Sequence, residues 1–557
     1  MKTLKSKKVL LAGWGCENKN DTHAHQIHYL TFRKIFPSLK TFDSKRFYFQ
    51  LGKDSMNEKF LDYLKGKTFD LIIFLMDEEE FYPETVLKAR EIQPLTKTLF
   101  VISDDDLRFS NYSRYYSVLF DYTFTSQYFI KEYKKDGIKD VSFILEYNTN
   151  KLSPLNLEKK YNVTFIGRPK ADRAKIIKYL IDNGIQVYIF GPDWHKYPEL
   201  WNYYKFPLNQ ENYARITNQT KINLCLTKAG LVEEKKDLNI TGRKFGRING
   251  RLFEIALCNS FQLVQFFPEA KGLFRENREI VFFYSKEELL KKIKYYLSHE
   301  KEREKIAENA YKKVIKDYNR EKQLIKIFNK IFSKKRKEIK IPEIRKKLIL
   351  IKKEDLENVN KLKNKLKNID YVHFSDKEHK DSEYKNNFLV YALEKTRKKI
   401  SCCEYCVYSK GLGNYLRFRS FYAFKRIGKS ANKLINLNQL MLEKYFFIKN
   451  IKLIKKLFNG ESINLLNEKN TAFVSIPLTS ITEIKNLDYE SMTRGFDMIF
   501  MKTLFSLFYR KKISFYPFAL FLKGIPNNFI LKYIYKLAFN KSVWHKLIIN
   551  KSYSKKT

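Results

Sequence analysis

The stretch YNVTFIGRPKADRAKIIKYLIDNGIQVYIFGPDW (Tyr161–Trp194) decides the fold. "YNVTFIG" is a short apolar run, rich in strand formers, that stops on Gly167. "KADRAKIIKYLIDNG" spaces its apolar residues at helical intervals and ends on Gly184, the residue favoured just past a helix C-terminus. "IQVYIFG" is a second apolar strand ending on Gly191. Strand, amphipathic helix, strand predicts a parallel sheet covered by helices on both faces.

The same alternation extends in both directions. Downstream come "TKINLCLT", "RLFEIALCN", "FQLVQF", "KEELLKKIKYYLS" and two charged helices that end near Phe332. Upstream, "KKVLLAG", "FDLIIFLMD", "KTLFVISDDD" and "YTFTS" read as strands, separated by helical patterns such as "MNEKFLDYLKGK" and "PETVLKAREI". The expected fold class is α/β, with two tandem Rossmann-like domains at residues 1–155 and 156–332. "SKKRKEIKIPE" (Ser333–Glu343) reads as a charged linker, and 344–557 as an additional mixed, helix-rich α/β region.

Composition bounds the function. The 557 residues hold 44% hydrophobic residues, enough for real cores, so a disordered chain is excluded. Lys and Arg number 107 against 61 Asp and Glu, a formal net charge of +46. The lysines interleave with apolar residues along the whole chain, which reads mainly as a lysine-rich composition and secondarily as affinity for a polyanion or an anionic membrane. No apolar run reaches the roughly 18 residues of a membrane span. The start "MKTLKSKKVLLAGWGC" imitates a secretion signal, but its apolar part is short, and it reads as a first strand entering a Gly turn. The six cysteines suggest reduced thiols; "CCEYC" lacks a second pair at zinc-site spacing.

Two parallel sheets in tandem offer strand C-termini as binding edges, where glycine lets a ligand approach and helix N-termini present free N–H groups. In the second domain these positions are Gly167 and Arg168, then Gly191. In the first they are Gly13 and Gly15 in "GWGCENKNDTHAH", with His23 and His25, and the acids Asp104, Asp105 and Asp106 after "LFVIS". Glu254 is the one acid in the apolar run RLFEIALCNSFQLVQ (Arg251–Gln265), and a carboxylate in such a run requires a partner.

These stretches resemble the group 1 glycosyltransferases, most closely the spore-coat-protein-like branch. The resemblance is carried by Tyr161–Trp194, "TKINLCLT" and "GRLFEIALCNSFQLVQFFPEAKGLFRENREIVFFYSKEELLKKIKYYL", and more loosely by "KKVLLAGWG" and "VISDDDLRF". It covers about residues 8 to 330 and implies a GT-B architecture. A nucleotide-diphosphate sugar would be held mainly by the second domain, and a glycan, lipid-linked or protein acceptor by the first, in surface polysaccharide or glycoconjugate synthesis. It implies that Glu254 accepts hydrogen bonds from the ribose hydroxyls. Arg243, Lys244, Arg251 and Arg168 would face the diphosphate, where cations stabilise the leaving group. Asp104, Asp105 or His23 would serve as base or acceptor ligand. The expected enzyme is a hexosyltransferase needing no metal or other cofactor, in the cytoplasm or peripheral at the inner membrane face.

Two departures stand out: Gly246 occupies the place of a second acid eight residues before Glu254, and Asn259 replaces a glycine after "EIAL". Retention or inversion therefore stays open. Asp376 and Glu378 faintly resemble the metal-binding pair of GT-A glycosyltransferases, in what would be a truncated module. A basic adaptor or scaffold at a membrane surface, or a nucleic-acid binder, is the alternative class.

Overall fold

The computed structural model describes residues 2–13, 24–51, 53–76, 80–103, 105–125, 129–169, 172–205, 208, 210–227, 248–267, 270, 272–339, 341–374, 379–409, 413–418, 437–459, 465–466, 470–481 and 496–498. By contacts the chain divides into two compact units. One comprises Met1–Asp43, Thr68–Asp77 and Leu95–Glu338; the other comprises Ser44–Lys67, Glu78–Pro94 and Ile339–Thr557.

The first unit holds two parallel sheets. Strands β1 (Val9–Gly13), β2 (Lys40–Asp43), β3 (Leu71–Leu75), β4 (Lys97–Ile102), β5 (Tyr122–Thr125) and β6 (Val141–Phe143) form a sheet of order β2-β1-β3-β4-β5-β6. Every residue of β1 and β3 is buried, as a sheet covered on both faces requires. Strands β7 (Tyr161–Ile166), β8 (Val187–Phe190), β9 (Thr220–Cys225), β10 (Gln262–Gln265) and β11 (Val281–Phe283) form the second, of order β11-β10-β9-β7-β8. Counted from its own first strand, the second sheet repeats the winding of the first. In each, the order reverses beside the first strand, and that reversal opens a crevice at the strand C-termini.

The quoted stretch folds as expected. Helix Arg173–Asp182 buries Ala174, Ile176, Ile177 and Leu180 against the second sheet. It stops in a Schellman turn: Gly184 takes φ +80°, its N–H donates to Ile181 O, and the Ile185 N–H reaches back to Leu180 O. Asn259 closes helix Arg251–Leu257 at φ +49°, so it supplies the left-handed residue that a glycine would. Ser285 caps helix Lys286–Ser298 by accepting from the Glu288 N–H.

Three boundaries differ from the sequence expectation. Helix Arg320–Ser333, expected at the end of the second domain, buries Leu324, Phe328 and Ile331 in the core of the first sheet. Its apolar stripe shows that a surface is covered but not which one. The expected linker is pinned rather than free up to Glu338: Lys334 and Lys337 pair with Asp140 at 2.5 and 2.7 Å, and the Lys337 N–H donates to Asp121. The connections Ser44–Lys67 and Glu78–Pro94, read as ordinary first-domain helices, group with the C-terminal region.

In the second unit, β12 (Leu348–Ile351), β13 (Tyr371–Phe374), β14 (His379–Asp381), β15 (Ile400–Ser409), β16 (Gly413–Phe418), β17 (Leu440–Glu443), β18 (Thr471–Ile481) and β19 (Phe496–Met498) form one mixed sheet. "CCEYC" lies inside β15, with Cys402 and Cys403 fully buried as core residues. Among the described residues of this region, strands and helices alternate around that one mixed sheet. Asp376 and Glu378 lie outside the described residues.

Candidate functional site at the strand ends of the second sheet

Four strand ends of the second sheet are bonded into one rim. Past β7, the Gly167 N–H donates to Phe190 O at 2.8 Å, and Gly167 O accepts from the Trp194 indole N–H at 2.6 Å. Gly191 follows β8 at φ +128°; a Cβ there would sit 2.5 Å from Gly167 O. Only glycine permits that approach. Past β9, the Thr227 N–H donates to Gln265 Oε1 on β10 at 3.0 Å. The left-handed Asp193 lies 3.8 Å from Arg168, an exposed pair of little energetic weight.

Helix Arg251–Leu257 points its first turn at this rim. Gly250 abuts Glu146 O so closely that no side chain fits between them. Arg251 lies over the ring of Phe165 at 5.4 Å, and its Nη2 is 2.7 Å from where a Gly167 Cβ would stand. Arg251 Nη1 is buried and has no hydrogen-bond partner among the described residues. Arg173 also lies over Phe165, at 5.5 Å; burial and then the Arg251 charge push its pKa down to about 9. Two guanidinium groups side by side are an arrangement that an anion would stabilise. The structure therefore brings together Gly167, Arg168, Gly191, Arg251 and Glu254.

Glu254, half-buried one turn on, accepts from the Asn148 N–H at 2.9 Å through Oε1. The partner demanded by its sequence context is thus partly the connecting segment 144–150. That segment is held on both sides. Leu145 O accepts from Arg320 Nε at 2.8 Å, Tyr147 stacks on Phe253 at 5.0 Å, and Asn150 Nδ2 donates to Gln26 O at 2.8 Å. Burial, followed by the Glu254 charge, raises the Tyr213 phenol well above its usual range, and its hydroxyl has no partner among the described residues.

The first sheet's edge is built differently. Gly13 is buried at the end of β1, in register with Asp43 and Leu75. Asp105, expected as a base or acceptor ligand, is fully buried instead: Ser113 and Tyr133 donate to its two oxygens, the latter at 2.8 Å. Burial lifts its pKa to about 6. It is an internal hydrogen-bond hub, because the chain turns its side chain under the 109–113 helical turn. His25 stacks on Tyr29 at 4.9 Å. Nearby, Glu146 accepts from Ser103 at 2.8 Å and approaches His28 at 3.2 Å, both carboxylate and imidazole being buried. Gly15, His23, Asp104, Arg243 and Lys244 lie outside the described residues.

Sequence reasoning missed Arg173, Tyr213, Asn148, Glu146 and His28. Arg173 carried a weak signal, being a cation at a helix start, where the dipole disfavours it. Among the described residues no group of three His, Cys, Asp or Glu side chains is placed to hold a metal ion, and no helix is long and apolar enough to cross a membrane.

No curated protein matches this sequence. Among solved structures, Anabaena HepE in complex with UDP is 11% identical, aligning 58% of this chain with 100% of that one at a TM-score of 0.40. Sucrose-phosphate synthase from Thermosynechococcus elongatus is 10% identical, 59% against 99%, at 0.42. A glycosyltransferase from Rickettsia africae is 14% identical, 58% against 99%, at 0.38. The family described as "Glycosyl transferase-like" matches residues 173–329, so β8 to β11 with Gly191, Arg251 and Glu254 lie in a stretch similar to glycosyltransferases, while β7, Gly167 and Arg168 precede it.

Proposed function

We propose that this chain transfers a sugar from a nucleotide-diphosphate donor to a glycan, lipid-linked or protein acceptor. The observation that carries this reading is the Gly167–Arg251–Glu254 arrangement at the strand-order reversal, with Arg251 and Glu254 inside residues 173–329, the segment that matches a glycosyltransferase family. The ribose hydroxyls donate to Glu254, a carboxylate and so an acceptor only, which also accepts from the Asn148 N–H. The diphosphate lies along Gly167, where Arg251 supplies fixed positive charge, assisted by Arg243 and Lys244 from the neighbouring segment. As the sugar C1–O bond breaks, its electron pair goes to the diphosphate, and these cations stabilise the growing charge. The acceptor oxygen forms the new bond to C1 and loses its proton to a base on the first domain. Asp104 or His23 takes that role, since both Asp105 oxygens are engaged inside the domain.

Guanidinium groups supply the charge at the leaving group, so chelator should leave the rate unchanged. Lys444, Lys449, Lys452, Lys455 and Lys456, on the helices Lys444–Lys449 and Ile451–Phe458, support weak, salt-sensitive contact with an anionic membrane face. The test of the main reading is calorimetry with UDP, GDP and their sugars. Binding of at least one, weakened by Glu254→Ala, is expected; no binding by any of them, with RNA bound tightly, would replace this reading with the basic adaptor.

A further inference from the structure

Arg173 is the first residue of its helix and only 2% exposed, yet it makes no ion pair among the described residues. All three guanidinium nitrogens donate to main-chain carbonyls: Nε to Thr227 O at 2.9 Å, Nη2 to Leu226 O at 2.6 Å and Nη1 to Arg168 O at 3.1 Å. Arg168 lies just past β7, and Leu226 and Thr227 just past β9. These two strands are neighbours, and the strand order reverses at them. Buried carbonyls beyond a strand end have no ladder partner and need a donor. The planar five-donor fork of arginine can satisfy three at once; an ammonium is a single point on a flexible stem.

We infer that Arg173 is a positioning residue for the nucleotide site, locking the ends of β7 and β9 at fixed separation so that Gly167 and Arg251 meet the diphosphate correctly. The inference deepens the proposed function and rests on it. Gln265 completes the lock from the other side. It accepts from the Thr227 N–H, so Thr227 is held through both its main-chain groups. Arg173 need not touch the ligand: each of its three nitrogens already donates to the protein, unlike Arg251 Nη1.

The test compares the full chain with Arg173→Lys and with Gln265→Met, which loosens the same rim without touching the arginine. Backbone hydrogen exchange is read at residues 161–168 and 220–227, with 9–13 in the first sheet as internal reference. UDP and GDP affinity is read by calorimetry. Faster exchange at both strand ends, an unchanged first sheet, and nucleotide affinity about tenfold weaker are expected. Exchange unchanged in both variants overturns the lock. Faster exchange with unchanged affinity overturns the positioning role and leaves Arg173 purely structural. If the unmodified chain binds neither nucleotide, the nucleotide reading fails, and the exchange result still decides separately whether the lock exists. Should Arg173→Lys not fold, Gln265→Met carries both measurements.

Discussion

The two sheets of the first unit wind alike, yet their C-terminal edges carry opposite chemistry. The edge of the second sheet combines glycines whose missing side chains admit close neighbours with guanidinium groups at or beneath the rim. The edge of the first turns two of its acids inward, Asp105 onto Ser113 and Tyr133, and Glu146 onto Ser103 and His28. Topology makes a crevice at both places, but side chains decide what can enter. A cationic, glycine-lined rim suits an anion that arrives with its own charge; Asp105 and Glu146 at the first edge are engaged by neighbours inside the domain.

The largest break in this comparison is expected from Gly191→Ala. The residue would have to hold φ +128° while its Cβ stood 2.5 Å from Gly167 O, 2.8 Å from Gly167 C and 3.1 Å from Gly167 N. Backbone strain and overpacking together should cost about 4 kcal/mol. Urea unfolding measures it. A loss well under 1 kcal/mol would mean that the rim is loose and that the glycines mark only turns.

Next comes Glu254→Ala, which removes one acceptor from the connecting segment and, on the proposed reading, from the donor ribose. Hydrogen bonds to a carboxylate are worth about 2 to 3 kcal/mol, so the donor KM should rise by about 30-fold or more with kcat less affected. Glu254→Gln keeps an oxygen for the Asn148 N–H and separates the two roles. If Gln restores donor affinity fully, Glu254 serves the connecting segment and not the nucleotide.

How much of this was legible beforehand follows from the range of the interactions. The parallel sheets were readable because strand and helix periods are local: Tyr161–Trp194 spells out both. The positions of Gly167, Gly191, Arg251 and Glu254, at strand ends and in a helix's first turn, were readable because those boundaries are local too. Arg173 was not, since its three acceptors lie in two different strand exits, one of them more than fifty residues downstream. The docking of helix Arg320–Ser333 on the first sheet was hidden for the same reason. An amphipathic pattern states that a face is buried, while Arg320 joining Leu145 O to Thr31 is settled only by tertiary structure. Asp105 misled because an acid after a strand looks the same whether its side chain points into the cleft or beneath it.

Asp105 gives the smallest and most diagnostic prediction. Burial raises its pKa from 3.8 to about 6, against the lowering effect of Ser113, Thr125 and Tyr133. The folded protein thus holds a proton there that the unfolded chain releases near pH 4. The stability this contributes is complete below that pH and disappears as pH rises through about 6. Asp105→Asn carries no such charge. The stability of the unmodified chain should therefore fall, relative to this variant, by on the order of 2 kcal/mol between pH 4 and pH 7. Thermal or urea unfolding across that range checks it. A flat difference would place the carboxylate in water, erase the contrast between the two edges, and return Asp105 to the acids able to take the acceptor's proton.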